Sequence, residues 1–268
     1  MSRIQRLFEN LKQQNEKALI PYITAGDPDI ATTEALLKCL VDNGADMIEL
    51  GVPFSDPMAD GPTIQAASQR ALQNPFSMET VLELVRKVRT YSDIPIILFG
   101  YFNPFLQYGL EKLCREAQAA GADGFLVVDL PPEEAADFKT FADAGELDLI
   151  FLLAPTSTDE RMRLVAENGG GFIYFVSVTG VTGARDDLDS MLGSYVEKIR
   201  SYTSLPIGIG FGISKPEHVK EVSAYADAVI VGSAIIKVAQ ASIGRPDMLT
   251  QVASFVRSLK AATKQQDV

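Results

Sequence analysis

Residues 94–130, IPIILFGYFNPFLQYGLEKLCREAQAAGADGFLVVDL, decide the fold, because an amphipathic stretch separates two apolar runs. The runs IPIILFGY (94–101) and GFLVVDL (124–130) are apolar almost without a break, as strands of a parallel sheet buried on both faces require. Between them, LEKLCREAQAAG (110–121) places apolar residues at helical spacing and ends in glycine, which is typical of a crossover helix. The segment therefore predicts a strand–helix–strand unit.

The same unit recurs along the whole chain. Further apolar runs lie at 19–25, 46–52, 148–154, 172–178, 206–211 and 228–233, so the sequence predicts eight strands. Strict alternation of strand and helix is compatible with two architectures, an open doubly wound sheet and a closed barrel. Eight units in about 250 residues is the usual size of the barrel. We predict an α/β fold, a (β/α)8 TIM barrel, as a single domain over residues 1–268.

The N-terminal stretch and the composition narrow the class of protein. Ile4, Leu7, Phe8 and Leu11 follow helical spacing but are interrupted by charges, so we expect an amphipathic N-terminal capping helix rather than a signal peptide or a membrane span. A net charge of −11 disfavours binding to nucleic acid or to anionic membranes.

Cysteine usage indicates the compartment. The two cysteines, Cys39 and Cys114, lie in separate helix-like stretches without the spacing of a metal site, and we interpret them as buried free thiols. The sequence thus predicts a cytoplasmic protein without a metal site.

Glu49 is the strongest candidate for chemistry. It lies in DMIELGV (46–52) between Ile48 and Leu50, near the end of a strand where barrel enzymes place their active sites. An inward carboxyl there would lose water, and desolvation raises a carboxyl pKa toward the range that a general acid or base needs. The alternative is an outward glutamate paired with a helix lysine, which we disfavour because barrel strands seldom hold an idle charge.

Glycine-rich ends of the last three predicted strands indicate a phosphate site. They are VTGVTGA (178–184), GIGFGIS (208–214) and VGSAI (231–235), and the candidate binding residues are Gly183, Gly212, Gly232 and Ser233. Small residues let backbone N–H groups converge on an anion, and barrel phosphate sites commonly lie at these strand ends. Each glycine could also serve only a tight turn. The polar stretch 179–190 is a candidate lid.

Other polar residues give weaker signals from spacing alone. Asp56 and Asp60 lie among prolines and glycines, where aspartate is also an ordinary turn residue. Asp129, at the end of the fourth predicted strand, either lines the site or anchors a neighbouring loop, and we favour the anchor. His218, the only histidine, lies at a predicted helix start and is interpreted as a surface residue.

Several of these motifs together resemble one family. The run IELGVPFSDPMADGPTIQ (48–65), with PYITAGDP (21–28), VVDLPPEE (127–134), YFVSVTGVTGAR (174–185) and VGSAI, is similar to the tryptophan synthase alpha subunits. The match extends over nearly the whole chain, and the first run is its most specific part. The resemblance implies a lyase that splits indole-3-glycerol phosphate, by retro-aldol cleavage, into indole and glyceraldehyde 3-phosphate.

The resemblance also implies roles for individual residues. Glu49 and Asp60 match the family's two catalytic acids. The resemblance therefore supports a catalytic role for Asp60 more strongly than its spacing does. The walls of the indole site match Tyr22, Phe99, Leu126, residues 150–152, Tyr174 and Phe211, with Thr182 on the lid and Tyr101 and Asp129 as further candidates for substrate binding. Tyr22 and Val178 depart from forms associated with the family, phenylalanine and arginine, and this affects ring packing and lid anchoring.

A partner follows from the same resemblance. The family passes indole to a beta subunit that holds pyridoxal phosphate, in an alpha2beta2 heterotetramer, and no cofactor is expected in this chain. The predicted strand-end rim offers an apolar face for it, formed by Pro53, Phe54, Pro57, Pro104, Phe105 and Pro131. Three alternatives remain open: a free-standing indole-producing lyase, a sugar-phosphate isomerase or epimerase, and a ligand-sensing barrel without catalysis.

Overall fold

The computed structural model describes residues 1–176, 185–210 and 212–264, and of residues 185–191 it describes the backbone. Its strands form one parallel sheet that curves into a nearly closed barrel, in the order β5-β4-β3-β2-β1-β9-β8-β7-β6. The strands are β1 (Ala18–Thr24), β2 (Ile48–Gly51), β3 (Ile96–Gly100), β4 (Gly124–Val127), β5 (Asp148–Ile150), β6 (Leu152–Leu153), β7 (Ile173–Val176), β8 (Ile207–Gly210) and β9 (Ala228–Val231). The predicted TIM barrel is confirmed.

The predicted fifth strand is found as two short pieces, so nine strands appear in the described part of the chain instead of eight. Residues 148–150 pair with β4, whereas residues 152–153 pair with β7. Phe151, between the two pieces, accepts a backbone hydrogen bond from Tyr174 at 3.1 Å. The chain changes partners at Phe151, and through this change it closes the barrel.

Helices connect the strands along the outside. They are α1 (Arg3–Gln13), α2 (Ile30–Asp42), α3 (Pro62–Ala71), α4 (Met78–Arg89), α5 (Phe102–Tyr108), α6 (Leu110–Ala120), α7 (Ala136–Ala144), α8 (Asp159–Asn168), α9 (Arg185–Arg200), α10 (Pro216–Ser223), α11 (Ser233–Gln240) and α12 (Met248–Ala262), with a 3₁₀ turn at Pro132–Glu134. Local chemistry sets their ends: the Asp29 side chain caps α2, and α6 stops at Gly121, which adopts a left-handed conformation. No helix in residues 1–176, 185–210 or 212–264 is long and apolar enough to span a bilayer.

Alternation along each strand separates two cores. On β2, Ile48 and Leu50 point outward and join the large cluster between the sheet and the helices. The intervening positions of the strands point into the barrel, where Ile97, Leu126 and Ile150 form a second cluster. This two-faced burial explains why the strands read as continuous apolar runs in the sequence.

The predicted capping helix closes the end of the barrel at which the strands begin. Ile4, Phe8 and Leu11 of α1 are buried in the inner cluster, and the Phe8 ring lies 6.2 Å from that of Phe172. The Ser2 side chain caps α1 by accepting a hydrogen bond from the Gln5 N–H. Because α1 covers this end, the candidate residues at the strand ends lie at the other end of the barrel, its mouth.

The predicted lid over 179–190 is wrong for its second half. Helix α9 begins at Arg185, so the polar residues 185–190 belong to its first turns instead of a loop. Acidic residues near a helix N-terminus are favourable, and this explains how a polar stretch resembling a loop is helical. Residues 179–184 of the predicted lid lie outside the described residues.

Candidate active site

Glu49 points into the barrel near its open mouth. Its Cα is in register with Tyr22 on β1 and Ile97 on β3, and its side chain is only 1% exposed. The Oε1 atom is buried and has no hydrogen-bond partner among the described residues. Burial raises the pKa of Glu49 to about 8, because the ionised form would lose its water without gaining a donor. The carboxyl is therefore protonated at neutral pH and holds a proton that it can deliver.

Asp60 lies in the loop between β2 and α3, in contact with Tyr101 at the end of β3. The Tyr101 hydroxyl donates a hydrogen bond to the Asp60 carboxyl and accepts one from the Ala59 N–H at 3.0 Å. Burial raises the pKa of Asp60 to about 6, and the Tyr101 hydrogen bond limits that rise. Asp60 is thus mostly ionised at neutral pH.

Both carboxyls lie close to the same aromatic side chains. The phenol of Tyr22 has a raised pKa, first because it is buried and then because Asp60 and Glu49 are near. Burial, Glu49 and Asp60 likewise raise the pKa of Tyr174 on β7. The structure therefore brings the two predicted acids to one region, although they stand on different elements.

Aromatic and aliphatic side chains that the resemblance assigns to the ring walls lie beside the two acids, and their role as ring walls stays a prediction. The Tyr22 and Phe99 rings meet edge to face with centroids 5.0 Å apart. Leu126 is fully buried beneath them in the inner cluster, and Phe99 and Tyr174 pack against that cluster. The result is an apolar slot with carboxyl groups at its edge.

Two strand glycines that were not predicted as site residues make room for the tyrosines. A Cβ atom on Gly51 would overlap the Tyr22 hydroxyl, and one on Gly210 would overlap the Tyr174 hydroxyl. The signal that could have identified them is glycine inside a strand, which often marks a close approach by another group. The glycines at 51 and 210 therefore help to set the width of the slot.

The predicted phosphate residues that the structure describes lie on neighbouring strand ends. Gly212 follows β8 with φ of 75°, and Gly232 and Ser233 begin α11 directly after β9. At Gly232 a Cβ atom would lie 3.4 Å from the Tyr22 Cβ, so the start of α11 adjoins the aromatic slot. Free N–H groups and the helix dipole favour an anion at such a helix start.

Thr182, Gly183 and Phe211, together with Val178, lie outside the described residues, so their assigned roles stay predictions. Asp129 is exposed, and its Oδ1 accepts a hydrogen bond from the Phe102 N–H at 2.7 Å. This contact supports the start of α5 and agrees with the loop-anchoring alternative.

The site has the groups for acid–base chemistry on a flat apolar ring. A neutral carboxyl can donate a proton, an ionised carboxyl can stabilise a cation, and a helix start can hold a remote anion. Within the part of the chain that is described, no three His, Cys, Asp or Glu side chains are grouped as a metal site requires.

Known proteins share this sequence and architecture. The family model described as "Tryptophan synthase alpha chain" matches residues 8–264. The chain belongs to the tryptophan synthase alpha chain family. It is accordingly an enzyme of tryptophan biosynthesis, a lyase, as the resemblance implied.

Individual members agree over nearly full length. The tryptophan synthase alpha chain of Geobacter sulfurreducens is 53% identical over 266 residues, covering 98% of this chain and 99% of that protein. The crystal structure of the alpha subunit from Legionella pneumophila str. Paris has a TM-score of 0.91 at 40% identity, with 98% of each chain covered. A tryptophan synthase structure from M. tuberculosis, an open form with BRD0059 bound, has a TM-score of 0.89 at 32% identity and covers 99% of this chain and 100% of that one.

Proposed function

We propose that this chain performs its family's cleavage of indole-3-glycerol phosphate with Glu49 and Asp60 as the catalytic residues. The observation that carries the proposal is the unequal pair of carboxyls at one aromatic slot. Burial without a partner keeps Glu49 protonated, whereas Asp60, with Tyr101 as donor, is ionised. Carboxyls whose surroundings separate their pKa values can act as acid and base in one reaction.

The two carboxyls suffice for a balanced reaction. Glu49 donates its proton to C3 of the indole ring, and the ring becomes a cation whose charge is shared with the ring N–H. The Asp60 carboxylate stabilises that charge by accepting the N–H hydrogen bond. The Glu49 carboxylate then removes the proton of the side-chain hydroxyl; the bond to C3 breaks, its electron pair returns to the ring, and indole and the aldehyde form. Glu49 ends protonated, as it began.

The phosphate supplies binding energy away from the reacting atoms. Gly212, Gly232 and Ser233 present backbone N–H groups at adjoining strand ends, and Gly183 is assigned to the same cradle by the family resemblance. Because Tyr22 adjoins both Gly232 and Glu49, a ligand held at α11 places its ring in the slot beside the acids. Binding at a remote group can fix the reacting carbon against its catalyst. The reaction calls for no cofactor in this chain.

The partner of this reaction is a beta subunit, and the alpha2beta2 heterotetramer with pyridoxal phosphate in the beta subunit is part of the proposal. The apolar rim supports this proposal, but two of its predicted residues do not belong to it. Pro53 is buried, and Phe105 is fully buried against Phe125, with ring centroids 5.7 Å apart, so including those two residues in the rim was wrong. Helix α5 places Phe105 on its inward face, where it joins the core.

The corrected rim consists of residues that remain at least partly accessible: Phe54, Pro57, Met58, Pro104, Leu106 and Pro131. Met58 is 84% exposed and Leu106 is 48% exposed, and neither was selected from the sequence. Exposed apolar side chains beside a catalytic loop are typical of a protein interface. We place the complex in the cytoplasm, which suits the two buried free thiols, Cys39 and Cys114.

Incubation of the purified chain with indole-3-glycerol phosphate tests the activity, with release of indole as the measurement. Glu49→Gln should lower turnover by about two to four orders of magnitude, since an amide cannot exchange the proton. The matched control is Glu9→Gln, an exposed glutamate on α1, which should turn over like the original chain. Indole release at an undiminished rate by Glu49→Gln would remove Glu49 from the mechanism. An original chain that binds the substrate without releasing indole would favour the ligand-sensing alternative.

A further inference from the structure

Helix α3 begins two residues after Asp60 and packs against both the ring wall and α11. Ala67 on its buried face is fully buried in a cluster with Tyr22 of the ring wall and Ile236 of α11. Ile64, one turn earlier, packs on the same cluster. Any shift of α3 along its axis therefore changes its packing against both the ring wall and the helix that begins at the phosphate site.

The C-terminal end of α3 is fastened to the loop that follows β1. Arg70 makes a two-pronged ion pair with Asp27, Nε to Oδ1 at 2.7 Å and Nη2 to Oδ2 at 2.8 Å. The side chains are 22% and 10% exposed, so water screens this pair less than an open surface pair. Asn74 adds a hydrogen bond to the Pro28 carbonyl at 2.8 Å. A planar guanidinium fork fixes geometry as well as charge, which a single contact does not.

The N-terminal end of α3 holds the backbone of the catalytic loop. The Gln65 side chain donates to the Asp60 carbonyl oxygen at 2.9 Å, and the Gln65 N–H donates to the Gly61 carbonyl at 3.0 Å. Pro62, the first residue of the helix, restricts the backbone at this junction. Asp60 is thus tied to a ten-residue helix whose far end is anchored at Asp27.

We infer that the Asp27–Arg70 ion pair is a positioning device for Asp60, acting through α3 to keep the Asp60 carboxyl against the Tyr101 hydroxyl. The inference rests on the proposed catalytic role of Asp60 and adds two residues that the prediction of the site did not include. Loss of the fork lets the C-terminal end of α3 slide on loop 25–28, and the catalytic loop moves with the helix. Misplacement of a catalytic group by about 1 Å costs on the order of 100-fold in rate.

Arg70→Gln, Asp27→Asn and their double variant test the inference in turnover of indole-3-glycerol phosphate. Each single change should lower kcat by about 10-fold to 100-fold with little change in KM, because the transition state is affected more than binding. The double variant should be no slower than the worse single variant, since the two residues act as one unit. Arg70→Lys should fall between, because lysine keeps the charge and loses the fork.

A second measurement does not depend on activity. With ¹³C-labelled aspartate, and the Asp60 signal assigned from Asp60→Asn, the Asp60 carboxyl should titrate at higher pH in Arg70→Gln, because it loses the Tyr101 donor. The matched control is the exposed ion pair Lys38–Asp42 on α2, at 3.0 Å, removed by Lys38→Gln. Folding of each variant is checked by its thermal melt, and Arg70→Lys carries the test if Arg70→Gln does not fold.

Three results separate the possible failures. An unchanged Asp60 titration in folded Arg70→Gln would overturn the inference whether or not the chain turns over substrate. Equal kcat in Arg70→Gln and Lys38→Gln, with only the melting temperature lowered, would also overturn it, because the pair would then be structural alone. An inactive original chain with a shifted Asp60 titration in Arg70→Gln would sustain the inference about position while removing the proposed reaction.

Discussion

Glu49 and Asp60 share one barrel mouth but not one environment. Glu49 has an inward strand position with no hydrogen-bond donor to its Oε1 among the described residues, so its pKa is about 8. Asp60 has a loop position with a phenol donor, and its pKa is about 6. A donor to the ionised form offsets part of the cost of burial, and this difference separates the two titrations.

The two titrations predict a bell-shaped dependence of kcat/KM on pH. The rate should rise as pH passes about 6, where Asp60 loses its proton, and fall as pH passes about 8, where Glu49 loses the proton that it must donate. Tyr101→Phe should move the acid limb to higher pH, because Asp60 then lacks its donor, and leave the alkaline limb in place. Steady-state rates from pH 5 to 10 measure both limbs. The control is Tyr108→Phe, which changes a half-buried tyrosine of α5 whose hydroxyl contacts Glu116. If both variants have the same acid limb, the assignment of that limb to Asp60 is wrong.

At the scale of an element, the start of α11 is the part that we expect to bind phosphate. The helix begins at Ser233, and its N-cap residue is Gly232, which has no side chain to cap the first turn. The orphan N–H groups of the first turn are the donors that this position offers, and the helix dipole adds to them. Gly232 next to Tyr22 keeps the approach narrow.

Ser233→Asp tests this element. A carboxylate at the first helical position would occupy or repel the anion, so KM for indole-3-glycerol phosphate should rise by about 10-fold or more with a smaller change in kcat. Ser233→Ala is the matched variant: it keeps the backbone N–H and should change KM far less. If the aspartate variant keeps the original KM, the phosphate lies elsewhere in the mouth. Inorganic phosphate binding, followed by calorimetry, gives the same comparison without turnover.

At the scale of the whole molecule, the open mouth and the rim around it lie on one side of the barrel. The rim includes Met58, two residues before Asp60, so a partner seated there contacts the catalytic loop. Helix α1 covers the opposite end of the barrel, where Ile4 and Phe8 are buried in the inner cluster. A partner that receives indole is therefore expected at the mouth.

A cognate beta subunit should bind this rim and raise indole release, by about 10-fold or more, because docking orders the loop that holds Asp60. Sedimentation measures the complex, and steady-state cleavage with and without the beta subunit measures the activation. Met58→Asp should weaken the complex by placing a charge in the apolar rim. The control is Tyr91→Asp, which changes a residue 39% exposed at the opposite end of the barrel, before β3. Equal rates without any complex would identify a free-standing indole-producing lyase.

The sequence by itself determined the barrel and the direction of Glu49. The barrel follows from local periodicity, because continuous apolar runs require burial on both faces. An inward Glu49 was favoured because a barrel strand seldom holds an idle charge, and Ile48 and Leu50 on the outer face agree with it. The capping helix follows in the same way from the spacing of Ile4, Phe8 and Leu11. These features depend on residues that are close together in the sequence, so the sequence alone is enough to predict them.

Only the tertiary structure decided what the distant parts do to one another. Spacing alone left Asp60 as a turn residue, and its environment comes from Tyr101, which stands on another strand end. The burial of Phe105, the partner change at Phe151 and the Asp27–Arg70 fork likewise join segments far apart in sequence. Periodicity gives the face on which a residue lies, but it does not give which residue of another element meets that face. Side-chain packing between elements settles that choice, and with it the protonation state and position of the second acid.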